Sequence, residues 1–145
     1  MSDKHFVDTN ILMYAHDTSA GAKHDQAKSL VEDLWRSRSG VLSTQVLQEL
    51  CVNLRRKAGR PLDLKATREI VLDYLSWEVV VNTSESVLEA MEIEERHGIS
   101  FWDALVIQAA ESAGAAVLYS EDLSHNQMYG GVRIVNPFTP EHESS

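Results

Sequence analysis

The sequence predicts an α/β fold, in which helices cover both faces of a parallel β-sheet. Two observations carry this prediction. Short β-type runs alternate along the chain with longer stretches of helical periodicity, and the runs are nearly continuous in apolar residues, as buried parallel strands are. The runs are HFV (5–7), GVLS (40–43), WEVVVN (77–82), AAVLYS (115–120) and VRIVNP (132–137).

Helical patterns fill the segments between these runs. The helical stretches are 10–17, 22–37, 44–59, 61–76, 84–98 and 100–114. Gly59 is a plausible stop signal for the third stretch, and Pro61 is predicted in the first turn of the fourth. The segment 121–131 is rich in turn residues and separates the last two predicted strands.

The chain of 145 residues is long enough for one domain with a substantial core. No repeat or linker divides it, so we assign residues 1–138 to a single domain and 139–145 to a flexible polar tail. No secretory signal and no apolar run of ~18–20 residues is visible, which predicts a cytoplasmic protein without a membrane span. The single cysteine, Cys51, fits a reducing compartment, and its apolar neighbours predict a small buried core residue.

The net charge of −9 argues against loose, charge-driven binding to nucleic acid, which usually needs a basic surface. It does not exclude a nuclease, because acidic residues at one site can bind a divalent cation that then meets the phosphate. Positive charge is concentrated in the segment NLRRKAGR. Its side chains are a candidate cluster for contacting the phosphates of a nucleic acid, with a solvated helix end as the alternative: Arg55, Arg56, Lys57 and Arg60.

Carboxylates stand where predicted strands end, at the edge where open parallel sheets bind ligands. Asp8 follows the first strand and Asp122 the fourth, although Asp8 could simply cap a helix and Asp122 could belong to a turn. Glu49 lies in the helix after the second strand, at the border of its apolar stripe, or it reaches into solvent from there. These residues, together with Asp103, can converge on one edge of the sheet.

Asp103 is the most informative of the four. Ser100 and Asp103 have the spacing of a helix cap, which would make Asp103 only a helix-start signal. However, Asp103 heads an otherwise apolar face, with Ile107 about 40° and Ala110 about 20° away around the helix. Burying an unpaired carboxylate costs several kcal/mol. No lysine or arginine occurs between Arg96 and Arg133, so a metal ion is the simplest partner.

Carboxylate oxygens are the ligands that hard cations such as Mg²⁺ and Mn²⁺ prefer. A group of acids that repel one another is unstable without such an ion. The chemistry that this arrangement serves best is hydrolysis of phosphodiester bonds, in which metal ions activate water and stabilise the leaving oxygen.

Four segments together resemble the PIN-domain family, in particular VapC-like toxins of type II toxin–antitoxin modules. The segments are FVDTNILMYA, TQVLQELCVNL, ISFWDALVIQAA and VLYSEDLSHNQMYGGVRIVNPF. They occur in the family's order and extend from Phe6 to Phe138. A lone Asp-Thr-Asn would be weak evidence, whereas four segments in register are specific.

The resemblance implies a three-layer α/β/α fold with a central parallel sheet of about five strands. It also implies endoribonuclease activity that depends on Mg²⁺ or Mn²⁺, a homodimer, and a small antitoxin whose tail carries a basic or aromatic residue into the acidic site. The family's acidic quartet, catalytic and metal-binding, falls on Asp8, Glu49, Asp103 and Asp122. Its supporting polar residues fall on Thr9, Asn10 and Ser120.

Three alternatives compete with a toxin ribonuclease. A phosphatase of the haloacid-dehalogenase type needs a second aspartate where this chain has Asn10, and a later lysine, whereas no lysine follows Lys65. A non-catalytic PIN-like binding scaffold would be expected to lack one or more of the four acids. A PIN-type nuclease of RNA processing, acting without an antitoxin, has the same chemistry and is not separated from a toxin by this sequence.

Overall fold

A mostly parallel sheet with helices packed on it makes up residues 3–139, the part of the chain described by the computed structural model. Its strands are β1 His5–Val7, β2 Gly40–Ser43, β3 Glu78–Val80, β4 Val117–Tyr119, β5 Met128–Tyr129 and β6 Val132–Val135. They lie in the order β3-β2-β1-β4-β6-β5, and all neighbours are parallel except β5 and β6. The α/β prediction and its five parallel strands are confirmed.

Six helices connect and cover the strands. They are α1 Thr9–His16, α2 Ala22–Ser37, α3 Thr44–Arg56, α4 Leu64–Tyr74, α5 Ser84–His97 and α6 Phe101–Ser112. The chain moves from β1 through β2 to β3 and then returns past β1 to β4, so right-handed crossovers place α1–α4 on one face and α5–α6 on the other. The helix contacts agree, because α1 packs on α2 and α3, and α5 packs on α6.

The core lies where the central strands meet these helices. Phe6, Leu42, Leu118 and Ile134 belong to four adjacent strands and are fully buried. Each such side chain contributes about 1.5–3 kcal/mol relative to an exposed position. Burial on both faces of the sheet therefore explains why these strands are nearly continuous in apolar residues, as expected from the sequence.

The turn-rich segment 121–131 contains a strand that was not predicted, β5. Tyr129 pairs with Val132 in an antiparallel hairpin, joined by Gly130 and Gly131. Gly130 has φ +59°, a left-handed conformation that glycine adopts without steric cost. This hairpin adds a sixth, antiparallel strand at one edge of the sheet.

Two local predictions need correction. Pro61 is not in the first turn of α4, which begins at Leu64, because the side chain of Asp63 accepts a 2.8 Å hydrogen bond from the Ala66 amide and caps the helix there. Cys51 is partly exposed rather than buried, because the buried side of α3 is centred on Val46, Leu50 and Leu54.

The polar tail assigned to 139–145 lies outside the described residues except for Thr139. The Thr139 hydroxyl donates a 3.0 Å hydrogen bond to the carbonyl oxygen of Asn136. Within residues 3–139, every helix is too short or too polar to cross a lipid bilayer.

Asp17 joins two loops beside α1. It is 4% exposed, and its Oδ1 accepts hydrogen bonds from the Ser19 amide (3.1 Å) and hydroxyl (2.6 Å). Its Oδ2 accepts a 2.9 Å hydrogen bond from the Gly59 amide, in the loop that follows α3. The hydrogen bonds from Ser19 and Gly59 lower the pKa of Asp17. The ionised side chain therefore stabilises the position of the α3 C-terminus.

We expect Asp17→Ala to lower the free energy of unfolding at pH 7 by about 2–3 kcal/mol, because two amides and a hydroxyl lose their acceptor. The loss should shrink at acidic pH, since the contribution of a carboxylate with a lowered pKa is present above its unfolded pKa and disappears as pH falls through the folded one. Urea denaturation at several pH values measures both effects. Glu32→Ala, at an exposed position of α2, is the control and should change stability by less than about 0.5 kcal/mol. A loss equal to that of the control would contradict the role of Asp17.

Candidate active site

The crevice between β1 and β4 is the point where the path of the chain across the sheet reverses. From β1 the chain continues to its neighbour β2 on one side, whereas β4 is its neighbour on the other side. Ligands of open α/β sheets bind at such switch points, beyond the C-terminal ends of the strands. Asp8 directly follows β1, and Ser120 and Asp122 follow β4, so three of the predicted residues stand at this position.

A polar cavity of about 220 Å³ opens at this crevice. All four predicted acids line it, brought there by four different elements of the fold: Asp8, Glu49, Asp103 and Asp122. Thr9 and Asn10 also line it, whereas Ser120 is fully buried behind it. The structure thus gathers residues that are far apart in the sequence into one site.

Asp8 caps a helix and faces the cavity at once. Its Oδ1 accepts a 2.8 Å hydrogen bond from the Thr9 amide at the start of α1. Its Oδ2 accepts a 3.2 Å hydrogen bond from the Ser120 hydroxyl. The two interpretations of Asp8 are therefore compatible, and the carboxylate is fixed in position from both sides.

The pKa of Asp8 is raised to about 7, chiefly by burial and also by the nearby charges of Asp122 and Glu49, while the hydrogen bonds from Thr9 and Ser120 oppose the shift. The pKa of Asp122 is also raised, first by burial and then by the charges of Asp103 and other acids. Both shifts mean that the folded protein resists ionising this group of acids completely. A bound cation would relieve that repulsion.

The predicted supporting residues contact the acids directly. The Thr9 hydroxyl donates a 2.7 Å hydrogen bond to Glu49 Oε1, so Glu49 is held towards the cavity and does not simply extend into solvent. Asn10 Nδ2 donates a 3.4 Å hydrogen bond to Asp122 Oδ2. The Ser120 hydroxyl accepts a 3.2 Å hydrogen bond from the Asp122 amide while it donates to Asp8, so it links two of the acids.

Asp103 lies in the first turn of α6, and its amide donates a 3.1 Å hydrogen bond to the Ser100 hydroxyl. Ser100 is therefore the cap of this helix. The Asp103 side chain is half-buried and lines the cavity. Its negative charge also interacts favourably with the partial positive charge at the N-terminal end of α6.

One cation shares the cavity with the four acids. Lys57, at the C-cap of α3, lines it and lowers the pKa of Asp122. The absence of a lysine or arginine close to Asp103 in sequence therefore did not imply an absence in space. The other predicted RNA-binding side chains lie outside the cavity lining: Arg55, Arg56 and Arg60. Arg55 folds back along its own helix, where its Nε donates a 2.9 Å hydrogen bond to the Cys51 carbonyl oxygen.

Two polar residues of the cavity wall were not predicted, Gln45 and Asn53. Both are buried and lie on α3, four residues before and four residues after Glu49. Lys57 continues the same spacing. Because four residues turn a helix by about 400°, side chains at this spacing lie along one side. Polar residues recurring at every fourth position were the sequence signal that could have identified this wall. We name it the α3 polar stripe, and it consists of Gln45, Glu49, Asn53 and Lys57.

The chemistry of the lining fits a hard divalent cation. Carboxylate, hydroxyl and amide oxygens face the cavity, and histidine and cysteine are missing from the described lining residues. Within residues 3–139, no three His, Cys, Asp or Glu side chains are gathered closely enough to hold a metal ion as they stand. The acids therefore line a common space without converging on a single point.

A three-layer α/β/α domain with an acidic cavity at the switch point of its sheet defines the class of protein, and the family model described as "PIN domain" matches residues 5–131. The chain therefore belongs to the PIN-domain family, and the resemblance seen in its four segments is confirmed. Among curated proteins, none matches the chain.

Solved structures with the same fold include VapC20 from Mycobacterium tuberculosis, described as a Sarcin-Ricin loop cleaving toxin. It is 26% identical, with a TM-score of 0.62, over 81% of this chain and 88% of that one. A toxin–antitoxin complex from Klebsiella pneumoniae is 16% identical, with a TM-score of 0.69, over 93% and 98% of the two chains. DNA-bound VapBC from Salmonella typhimurium is 19% identical, with a TM-score of 0.64, over 92% and 97%.

Proposed function

We propose that this protein is a divalent-metal-dependent endoribonuclease and the toxin of a type II toxin–antitoxin module. The observation that carries the proposal is the cavity at the switch point, in which four carboxylates from separate elements face one space. The likeness to VapC20, which is described as a toxin that cleaves the Sarcin-Ricin loop, supports the choice of substrate and role.

In this proposal Asp8, Glu49, Asp103 and Asp122 hold Mg²⁺ or Mn²⁺ and form the catalytic group. When bound, a divalent cation supplies an activated water and stabilises the leaving oxygen of the phosphodiester. The remaining residues position the acids: Ser120 and the Thr9 amide hold Asp8, the Thr9 hydroxyl holds Glu49, and Asn10 contacts Asp122. Fixed acids lose little energy to reorganisation when the substrate arrives.

The basic residues have separate parts in the proposal. Lys57 contacts an RNA phosphate at the cavity itself, where its charge offsets part of the acidic field. Arg56 and Arg60 are exposed and close to Lys57 in sequence, and in this proposal they contact the RNA backbone farther along the strand. Arg55 would have to leave its hydrogen bond to Cys51 to join them, so we expect its contribution to be the smallest of the four.

The partners belong to the proposal as well. The Klebsiella and Salmonella structures are described as a toxin–antitoxin complex and as VapBC, which supports a protein antitoxin for this chain. We propose in addition a homodimer, which the family resemblance implies, and a cytoplasmic location, which is expected from the sequence. A short reading frame next to the gene, encoding a protein that binds this chain and blocks its activity, would separate a toxin from an RNA-processing nuclease.

Metal-dependent cleavage tests the nuclease. We expect the purified protein to cut a structured RNA in the presence of Mg²⁺ or Mn²⁺, and to stop when EDTA removes the metal. Mapping the 5′ and 3′ ends of the products by primer extension and sequencing shows whether the cuts are internal. Cleavage that continues in EDTA would contradict the metal mechanism. RNA that is bound but left intact with either metal would favour the non-catalytic scaffold.

A further inference from the structure

Trp102 is an exposed aromatic side chain at the acidic cavity. It is 62% exposed, and it is the only aromatic residue among the large exposed hydrophobic residues of the described chain, 3–139. It also lines the cavity that contains the four acids. The other tryptophans, Trp35 and Trp77, pack instead against the buried Tyr74, away from the acidic cavity. The metal chemistry proposed above assigns no role to Trp102.

The position of Trp102 is fixed by its surroundings. It lies in the first turn of α6, directly before Asp103. Its ring contacts the ring of Phe101 edge-on, with 5.3 Å between centroids. Its backbone carbonyl oxygen accepts a 3.4 Å hydrogen bond from the side-chain Nε2 of Gln45, in the α3 polar stripe. The indole is thus held at the edge of the site while most of its surface stays accessible.

We propose that Trp102 is a stacking platform for an unpaired RNA base next to the bond that is cut. This inference rests on the proposed function. Aromatic faces bind bases that are free of a duplex, because a paired and stacked base does not expose its own face. A neutral aromatic surface also suits a chain with a net charge of −9, since stacking needs no positive potential.

The cavity favours RNA over a protein as the occupant of this surface. Trp102 shares the cavity with the acids, so whatever is cut there must pass beside the indole. Another exposed apolar surface, on α5, is separate from the cavity and includes Leu88 and Met91 among glutamates. Trp102 therefore lies on the path of the strand that is cut, whereas the α5 surface does not, and Trp102 is where an unpaired base would lie.

Two substitutions and one control test the platform. Trp102→Ala removes the stacking surface, Trp102→Phe keeps a smaller one, and Leu88→Ala changes an equally exposed apolar residue outside the cavity. We expect Trp102→Ala to raise KM for a hairpin RNA with an unpaired target loop by roughly tenfold or more. Trp102→Phe should recover most of that loss, kcat should change by less than about threefold in both, and Leu88→Ala should match the wild type.

A binding measurement gives a readout that does not depend on catalysis. In EDTA, a single-stranded 12-mer oligoribonucleotide should quench the tryptophan fluorescence of the wild-type protein, and a fully paired duplex of the same sequence should quench it much less. Trp102→Ala should lose the quenching, because Trp35 and Trp77 are largely buried and lie outside the lining of the acidic cavity. Size-exclusion chromatography of each variant records the oligomeric state.

The outcomes are distinguishable. No cleavage of any RNA by the wild-type protein would overturn the proposed function and this inference with it. Wild-type cleavage combined with an unchanged KM and unchanged quenching in Trp102→Ala would overturn the stacking platform alone. A change of oligomeric state in Trp102→Ala with an unchanged KM would also overturn it, and would make Trp102 a protein contact.

Discussion

Asp103→Asn should lower the rate of RNA cleavage by a factor on the order of 10³, which corresponds to about 4 kcal/mol of transition-state stabilisation. The substitution removes one negative charge from the group proposed to hold the metal and leaves the side-chain shape nearly unchanged. The Asp103 amide keeps its hydrogen bond to Ser100, so the start of α6 should be preserved. Single-turnover kinetics at saturating protein and Mg²⁺ or Mn²⁺ measure the loss.

Asp25→Asn is the matched control for this substitution. Asp25 lies in the first turn of a helix, as Asp103 does, but it is exposed on α2, outside the cavity lining. The Asp25→Asn protein should cleave RNA at the wild-type rate. Circular dichroism and thermal melting should show that both variants fold. A folded Asp103→Asn protein with wild-type cleavage would remove Asp103 from the catalytic group.

Asp8→Asn should abolish cleavage and, without metal, make the folded protein more stable. Because the pKa of Asp8 is raised to about 7 in the folded state, the protonated form favours folding, and this advantage is lost as pH rises through that value. Asparagine stays neutral at every pH and can keep partners at Thr9 and Ser120. At pH 8 we expect a gain on the order of 2 kcal/mol, or a rise in Tm of about 4–8 °C.

The pH dependence distinguishes this effect from general repacking. The gain should increase between pH 5 and pH 8 and nearly disappear below about pH 4, where the aspartate is protonated in both states. Thermal melts in EDTA measure it. Added Mg²⁺ or Mn²⁺ should then raise the Tm of the wild-type protein more than that of Asp8→Asn. An Asp8→Asn protein less stable than the wild type at pH 8 would show that burial does not strain this carboxylate.

Much of the fold, and the set of acids that line the cavity, could be predicted from the sequence for physical reasons. The runs from Phe6 and Val117 onward are apolar because they are buried on both faces, and the ends of parallel strands share one edge of the sheet. Asp8 and Asp122 could therefore be placed together before the structure was known. The catalytic role assigned to them stays a prediction.

Other features depended on contacts that sequence patterns do not specify. The strand β5 has two residues, too few for a periodicity, and only the glycines of its hairpin indicated it. Lys57 reaches the cavity from another helix, and its distance from Asp103 along the sequence gave no indication that the two residues share a cavity. The exposure of Trp102 also depends on what packs around α6, since the apolar face of that helix alone would predict a buried ring.

The α3 polar stripe gives this site an unusual dependence on chain length. A single residue inserted between Gln45 and Lys57 would rotate everything after it by about 100° around the helix axis. With the insertion before Val52, Asn53 and Lys57 would leave the cavity, and Val52 and Arg56 would take their places. Insertions of three or four residues would nearly restore the phase, so the cavity should tolerate helix lengthening only in whole turns. The loop after β4 has no such periodic constraint.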